Sequence, residues 1–402
     1  MPRPLHIANA HIYTGHDYAQ RDLYTTDVVV AGRPTNALTV DLSGYTIFPG
    51  LINAHDHLEL NHYPRTKYRE RYDNASQWSA DVNSHLNESP FKELRAYPLE
   101  DRCFIGGLKN LLCGATTVVH HNPPHKCLFK RDFPVRVLKN YGWAHSLYLS
   151  SDEEIVASYR STPPDVPWFI HLAEGTDEAA AGEYRRLKAL GCVGSNTVMV
   201  HGVGLSLEDV YDAISMRAKL VLCPTTNLYL LDTTVAYYQV SNALLGSDSR
   251  LTADGDLLDE LRALVALFPD QVRSLWFLLR DIEKPLTHSW GWDTIDLKAP
   301  GAHADLIALK HDYETDLPDS LVINARRADL ALIVRGGEPQ IGDPDMMAKF
   351  PHIETVAARL DDKEKSINVS LARQIARCTL KKRGLELLQD PFARRWRAFQ
   401  RG

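Results

Sequence analysis

No two cysteines of this chain stand in a CxxC arrangement, and the six present (Cys103, Cys113, Cys127, Cys192, Cys223 and Cys378) are spread thinly through 402 residues. That thinness excludes a secreted disulfide scaffold and reads as reduced thiols. Also absent is any unbroken apolar run of about 18 residues, so no segment reads as a membrane-spanning helix. Met1 to Ala8 contains Arg3, Pro4 and His6 and leads straight into alternating sequence, without a charged region ahead of an apolar stretch. The cytoplasm is therefore the expected compartment. Positive charge is not in excess either: Lys+Arg 45 against Asp+Glu 51 gives a net charge of -6. An acidic surface of this size does not concentrate nucleic acid or anionic lipid, which leaves a small molecule as the expected partner. Assembly into a homo-oligomer stays open.

What is present is a globular balance, 44% hydrophobic and 24% charged with 23 Gly and 22 Pro, which excludes whole-chain disorder. The length accommodates one α/β barrel of about 250 residues and roughly 150 more. The first 46 residues read as short strands: Pro4 to Thr14 alternates, Val28 to Val30 is β-branched, and Gly15, Gly32 and Pro34 punctuate. Beyond Gly50, apolar strands such as Thr116 to Val119 and Thr197 to Val200 alternate with helical stretches such as Glu183 to Leu190 and Leu257 to Phe268. Buried strands separated by helices imply a parallel sheet. Strand character without comparable helices returns in Ala304 to Leu309 and Ala328 to Val334. The expected organisation is thus a composite β-sandwich from residues 1–46 and 302–345, a barrel over 47–301, and a helical tail over 346–402. The tail is expected from Leu371, Ile375, Cys378, Leu380 and Leu385 at roughly helical spacing.

Chemistry concentrates at strand ends. Ile47-Phe-Pro-Gly-Leu-Ile-Asn-Ala-His-Asp-His57 is an apolar strand ending in His-x-His. Residues i and i+2 of a strand share a face, so His55 and His57 offer two imidazoles to one ion. Alone this is weak, since the chain has 17 histidines. Trp168-Phe-Ile-His171-Leu-Ala-Glu174 and Val198-Met-Val-His201 are two more apolar strands ending in histidine. Asp248, in Gly246-Ser-Asp248, follows a fourth; by itself it would equally suit a helix N-cap or a turn.

These pieces, in this order, resemble the amidohydrolase superfamily of metal-dependent hydrolases, in particular its cytosine/guanine deaminase and triazine hydrolase branch. The resemblance is carried by Pro49 to His57, Gly114-Ala-Thr-Thr-Val-Val119, His171-x-x-Glu174, His201, Cys223-Pro-Thr-Thr-Asn227 and Gly246-Ser-Asp248, and it covers nearly the whole chain. It implies a (β/α)8 barrel beside a small β-sandwich built from both chain ends. It further implies one divalent ion on His55, His57, His171 and Asp248, with Glu174 and His201 moving protons. Such a donor set suits Zn²⁺ and tolerates Fe²⁺ or Mn²⁺. A bound ion lowers the pKa of water towards about 7, making hydroxide available at neutral pH. Because i and i+3 of a strand face opposite ways, Glu174 reaches the ion side only if the chain turns after His171, as Gly175 and Asp177 allow.

Only about 50 residues separate His121 from His171, too few for two full strand-helix units, so the barrel is expected to be abbreviated there, between its second and fifth strands. Ala144 to Leu149 reads as one clear strand and Phe133 to Leu138 as a poor one. No Lys follows to bridge a second metal, and Asp152 and Glu153 read as helix N-terminal acids. For substrate binding the candidates are His121 at the end of the second strand, Arg65 in the loop after the metal strand, and Asn227 and Ser249 flanking the centre. The expected reaction is hydrolysis of a C-N bond, by deamination of an aminated heterocycle or opening of a cyclic amide or amidine. Displacement of halide or thiol from an electron-poor ring, or a non-catalytic metal- or ligand-binding role on the same fold, are the alternatives.

Overall fold

The computed structural model describes residues 2–13, 18–235, 243–269, 297, 300–311 and 318–393. The chain opens with β1 (Leu5–Tyr13), β2 (Tyr18–Thr25), β3 (Leu38–Asp41) and β4 (Tyr45–Pro49). A barrel series follows: β5 (Leu51–Asp56), β6 (Ala115–His120), β7 (Arg136–Val137), β8 (Gly142–Ser146), β9 (Trp168–Leu172), β10 (Thr197–His201), β11 (Lys219–Leu222) and β12 (Ala243–Leu245). The late strands are β13 (Leu306–Lys310), β14 (Leu332–Arg335), β15 (Glu338–Gly342), β16 (Thr355–Leu360), β17 (Lys363–Asn368) and β18 (Leu385–Leu387). Helices α1 (Ala75–Ser84), α2 (Phe91–Arg95) and α3 (Leu99–Leu112) lie between β5 and β6, and α4 (Asp152–Ser161) follows β8. After β9, β10, β11 and β12 come α5 (Glu178–Ala189), α6 (Leu207–Ser215), α7 (Pro224–Leu231) and α8 (Leu257–Leu267).

The barrel strands pair in parallel, as β5-β6-β7 and as β8-β9-β10-β11-β12. Past β12 the chain closes onto β5, where the Ser247 and Asp248 N–H groups donate to the His55 carbonyl at 3.1 and 3.0 Å. Gly246 makes that approach feasible, because a Cβ there would lie 2.6 Å from the His55 Cβ. The abbreviation expected from chain length falls on helices rather than on strand number. Residues 138–141 alone separate β7 from β8, and β6 is followed only by a 3-10 turn at Lys126–Phe129. A paired parallel neighbour needs a crossover of about a dozen residues or more. Four cannot supply one, and among the described residues no ladder joins β7 to β8.

Apolar faces sort into two shells. Ile52, Ala54, Val119, Phe169, Val198, Val200 and Val221 fill the barrel interior. Trp168, Ile170, Leu172, Met199, Leu220 and Leu222 point the other way, into the helix layer with Tyr184, Leu187 and Leu261. The helices start where short polar side chains cap them: the Ser151 and Ser206 hydroxyls accept from Glu154 N–H and Asp209 N–H, and Asp177 accepts from Ala180 N–H. Asp152 belongs to the first turn of α4 and pairs with Arg186 at 2.5 Å, as a helix acid rather than a metal bridge. Among the described residues no helix is long and apolar enough to cross a membrane.

Strands from both chain ends share one ten-stranded sheet, in the order β18-β16-β17-β15-β14-β13-β4-β1-β2, with β3 on β1. β4 is the join, antiparallel to β13 and parallel to β1. The helical tail expected from Met346 onward needs correcting. Its described residues carry β16, β17 and β18, with a helix longer than one turn only at Val369–Arg377. Leu371 and Ile375 do follow that helix. Val356, Ala358 and Leu360 are buried at alternate positions, a two-residue period whose small apolar members are easily overlooked.

Candidate metal centre

Four donor atoms converge at the carboxyl ends of β5, β9 and β12. The Nε2 atoms of His55 and His57 each lie 3.3 Å from His171 Nε2, and 3.8 and 3.7 Å from Asp248 Oδ1. A tetrahedral ion with arms of about 2.0–2.1 Å sets its ligand atoms about 3.3 Å apart, which is the spacing of His171 Nε2 from each of the other two imidazole nitrogens. Three imidazoles and one carboxylate thus fit a divalent ion such as zinc.

Two of the three imidazoles, His55 and His171, are aimed by their other nitrogen. His171 Nδ1–H donates to the His145 carbonyl at 2.8 Å, leaving Nε2 with its lone pair. His121 Nε2–H donates to the Ala144 carbonyl at 3.0 Å, so its Nδ1 is an acceptor. That Nδ1 lies 3.3 Å from His55 Nδ1, which must therefore carry the proton, again freeing Nε2. Burial pushes His55, His121 and His171 well below the usual histidine range, and the neighbouring imidazoles add to this, so all three stay neutral. Asp248 Oδ2 accepts from the Thr226 and Thr252 hydroxyls at 3.0 and 3.1 Å, while Ser249 N–H donates to Oδ1 at 2.7 Å.

The His-x-His strand is held from behind. Asn53 and Asp56 both bond to Asn110 of α3, each at 2.7 Å, although residues three apart on a regular strand face opposite ways. A register shift between Asn53 and Asp56 resolves this: the bulge turns His55 and His57 inward while Asp56 faces α3. There the fully buried Asp56 meets Lys109 Nζ at 3.0 Å, and that ammonium also donates to Ser247 Oγ at 2.9 Å and the Asp248 carbonyl at 2.8 Å. One cation thereby ties the strand bearing two of the donors to the turn bearing Asp248.

Glu174 comes round to this centre because Ala173 adopts a left-handed conformation, φ +54°. The turn sits at Ala173 itself, ahead of the expected Gly175 and Asp177. Glu183 Oε2 fixes it by accepting Ala173 N–H at 2.6 Å. His201 (φ +77°) and Asp248 (φ +50°) share this conformation, so three non-glycine residues of one site hold strained backbone. Glu174 Oε2 lies 3.5 Å from His201 Nε2, whose ring is turned by the 2.9 Å bond from Nδ1–H to Asn227 Oδ1. Burial, reinforced by the Asp248 and Glu183 carboxylates, pushes Glu174 well above the usual carboxylate range. A cavity of about 450 Å³ reaches Glu174 between Asn74, Leu147 and Tyr148, large enough for a small organic molecule.

The structure therefore brings His55, His57, His171, Asp248, Glu174 and His201 together. The residues expected to contact substrate are placed otherwise. His121 is fully buried and stacks on His171 at 4.2 Å, behind the donors rather than in the mouth. Arg65 spends its guanidinium on the Thr252 and Thr225 carbonyls and on Asp254, and lies over the Tyr229 ring at 4.0 Å, bracing the loop. Asn227 and Ser249 are buried and orient His201 and Asp248. Lys109, Thr226, Thr252 and Glu183 were not singled out by the sequence. For Lys109 the one available signal was a lysine on an otherwise apolar stretch of α3.

No protein-family model and no curated protein matches the chain. Solved structures do. An adenosine deaminase from Xanthomonas campestris with bound zinc is 16% identical, covering 88% of this chain and 98% of that one, with a TM-score of 0.63. The atrazine chlorohydrolase of Arthrobacter aurescens complexed with zinc is 16% identical over 83% and 94%, TM-score 0.67. The N-isopropylammelide isopropylaminohydrolase of Burkholderia multivorans is 15% identical over 84% and 98%, TM-score 0.59. Two of these three are named with zinc, and the names are those of a deaminase, a chlorohydrolase and an aminohydrolase. The fold of this chain is theirs, a (β/α)8-type barrel with a separate sheet built from the chain ends.

Proposed function

We propose that this protein is a metal-dependent hydrolase acting on a C-N bond of a small molecule, deaminating an aminated heterocycle or opening a cyclic amide or amidine. The observation that carries this reading is the convergence of His55, His57, His171 and Asp248 at ligand spacing beside the Glu174 and His201 pair. A divalent ion held by those four donors supplies Lewis acidity and makes water nucleophilic near neutral pH.

The protein's own groups do the rest. Glu174 takes the proton of the attacking water and delivers it to the leaving nitrogen. With Nδ1–H given to Asn227, His201 presents Nε2 towards Glu174 and keeps that carboxyl aimed at the centre. The closed shell of Thr226, Thr252, Ser249 and His121 holds the donors rigid.

The names of the neighbours, a deaminase, an aminohydrolase and a chlorohydrolase, span amine and chloride as leaving groups. Displacement of chloride from an electron-poor ring is therefore the second reading. The test is a screen of the zinc-loaded protein against aminated purines, pyrimidines and triazines, cyclic ureas and chlorinated triazines, following ammonia, ring-opened product and chloride. Turnover with ammonia or ring-opened product supports the proposal. Release of chloride alone favours the second reading, and inertness towards every class with zinc bound refutes both.

A further inference from the structure

Beside the four-donor centre, Glu59, His120 and His125 bring three further donor atoms within 4.8 Å of one another. Glu59 stands two residues past His57, and His120 ends β6 ahead of His121, so this cluster shares no residue with the first.

Its hydrogen bonds leave an unresolved contact. Glu59 is 8% exposed; its Oε1 accepts from Asn122 Nδ2 at 2.6 Å, but its buried Oε2 has no hydrogen-bond partner. The atom nearest in kind is His120 Nδ1, at 3.7 Å. His120 Nε2 lies 3.3 Å from the Pro123 carbonyl, which can only accept, so the ring proton is on Nε2 and Nδ1 is a lone pair. That lone pair receives only a long contact, 3.3 Å, from Leu58 N–H. Two acceptors thus face each other in a buried place, and 3.7 Å is too long for a hydrogen bond even with a proton between them. The separation is that of Asp248 from His57, also 3.7 Å, in the first centre.

We propose that Glu59, His120 and His125 form a second divalent-cation site, suited to zinc. A cation between Glu59 Oε2 and His120 Nδ1 gives both lone pairs a partner. His125, in the loop after β6 and half-buried, supplies the third donor and a route from solvent. Two imidazoles and a carboxylate with a fourth position open is an established zinc donor set. With three donors against four, this site is the weaker, filling after the first. The inference is independent of the hydrolytic reading.

The experiment is a zinc titration of the full-length apo-protein against a chromophoric chelator, with circular dichroism to verify folding. The wild type is expected to take two equivalents, the second at least tenfold weaker. His125→Ala and Glu59→Gln should abolish the second step, weakening it by more than the about 10- to 100-fold typical of an outer-shell loss, and leave the first unchanged. His171→Ala should do the reverse. His125 lies in a partly exposed loop, so its variant is expected to fold even if Glu59→Gln does not. A wild type that stops at one equivalent in excess zinc, with that equivalent retained in His125→Ala, overturns the proposal, as does a second step that survives in His125→Ala. Loss of the tight step alone, with the His125-dependent step intact, would contradict the hydrolase reading and leave this site standing.

Discussion

An imidazole binds a metal with one nitrogen and is aimed by the other, and here His121 does the aiming for His55. His121→Phe keeps the stacking on His171 but leaves His55 Nδ1–H buried without an acceptor. Zinc affinity should fall by about 10- to 100-fold, and His121→Asn, which restores an acceptor, should recover part of it; both are read by chelator competition. Glu174 lies beside the donors without belonging to them. Positioned acid-base catalysis contributes about 10² to 10⁴-fold, so Glu174→Gln should lose turnover by that factor while retaining its metal. His171→Ala should lose both. Metal content and kcat measured side by side decide, and a fully active or metal-free Glu174→Gln would refute the assignment. A third residue concerns stability. Burial pushes the Glu260 carboxyl, which accepts Thr225 N–H at 2.8 Å, up to about 8. The folded state then holds a proton the unfolded state has released, so this contribution is complete below the ordinary Glu range and is lost as pH rises through about 8. The carboxyl also bonds the Thr225 hydroxyl; Glu260→Gln can keep both contacts, and urea unfolding at several pH values should show a flatter decline between pH about 5 and 8 than in the wild type.

At the scale of elements, barrel strands that end in histidine were legible because each is a short apolar run with a polar terminus. The bulge in β5 and the left-handed Ala173 were not. Both are single-residue departures from the strand period, imposed by contacts to α3, more than fifty residues away, and to Glu183 on the following helix. Ala173→Gly should be at least as stable as the wild type, since glycine adopts φ +54° freely. Ala173→Val should lose about 2 kcal/mol or more and swing Glu174 away, lowering activity beyond the loss of stability. Thermal unfolding and turnover of the two variants separate these outcomes. The absent helix between β7 and β8 was visible as a shortage of residues, but chain length alone did not say whether strands or helices were missing.

For the whole molecule, β1 and β4 are the seam through which the chain start reaches β13 and the late strands. Removing residues 1–41 takes β1 to β3 away and uncovers β4, whose Ile47 packs with Leu5, Ile7 and Ala308. The truncated chain should aggregate or melt well below the full-length protein, and an unchanged melting temperature would show that the sheet does not support the barrel.

The order of donors along the chain, their residue types and the alternation of strand and helix are local properties, and the sequence by itself determined them. Hydrogen-bond networks join residues that are distant in sequence, so only the tertiary structure decided that Lys109 faces Asp56 or that His121 stands behind His55 rather than in the mouth. The same holds for Arg65, whose charge suggested a ligand until the Thr225 and Thr252 carbonyls were folded against it. The late strands followed the same rule. A short alternation such as Val356, Ala358 and Leu360 becomes a strand only when β17 supplies its backbone partners, and that pairing exists in the fold alone.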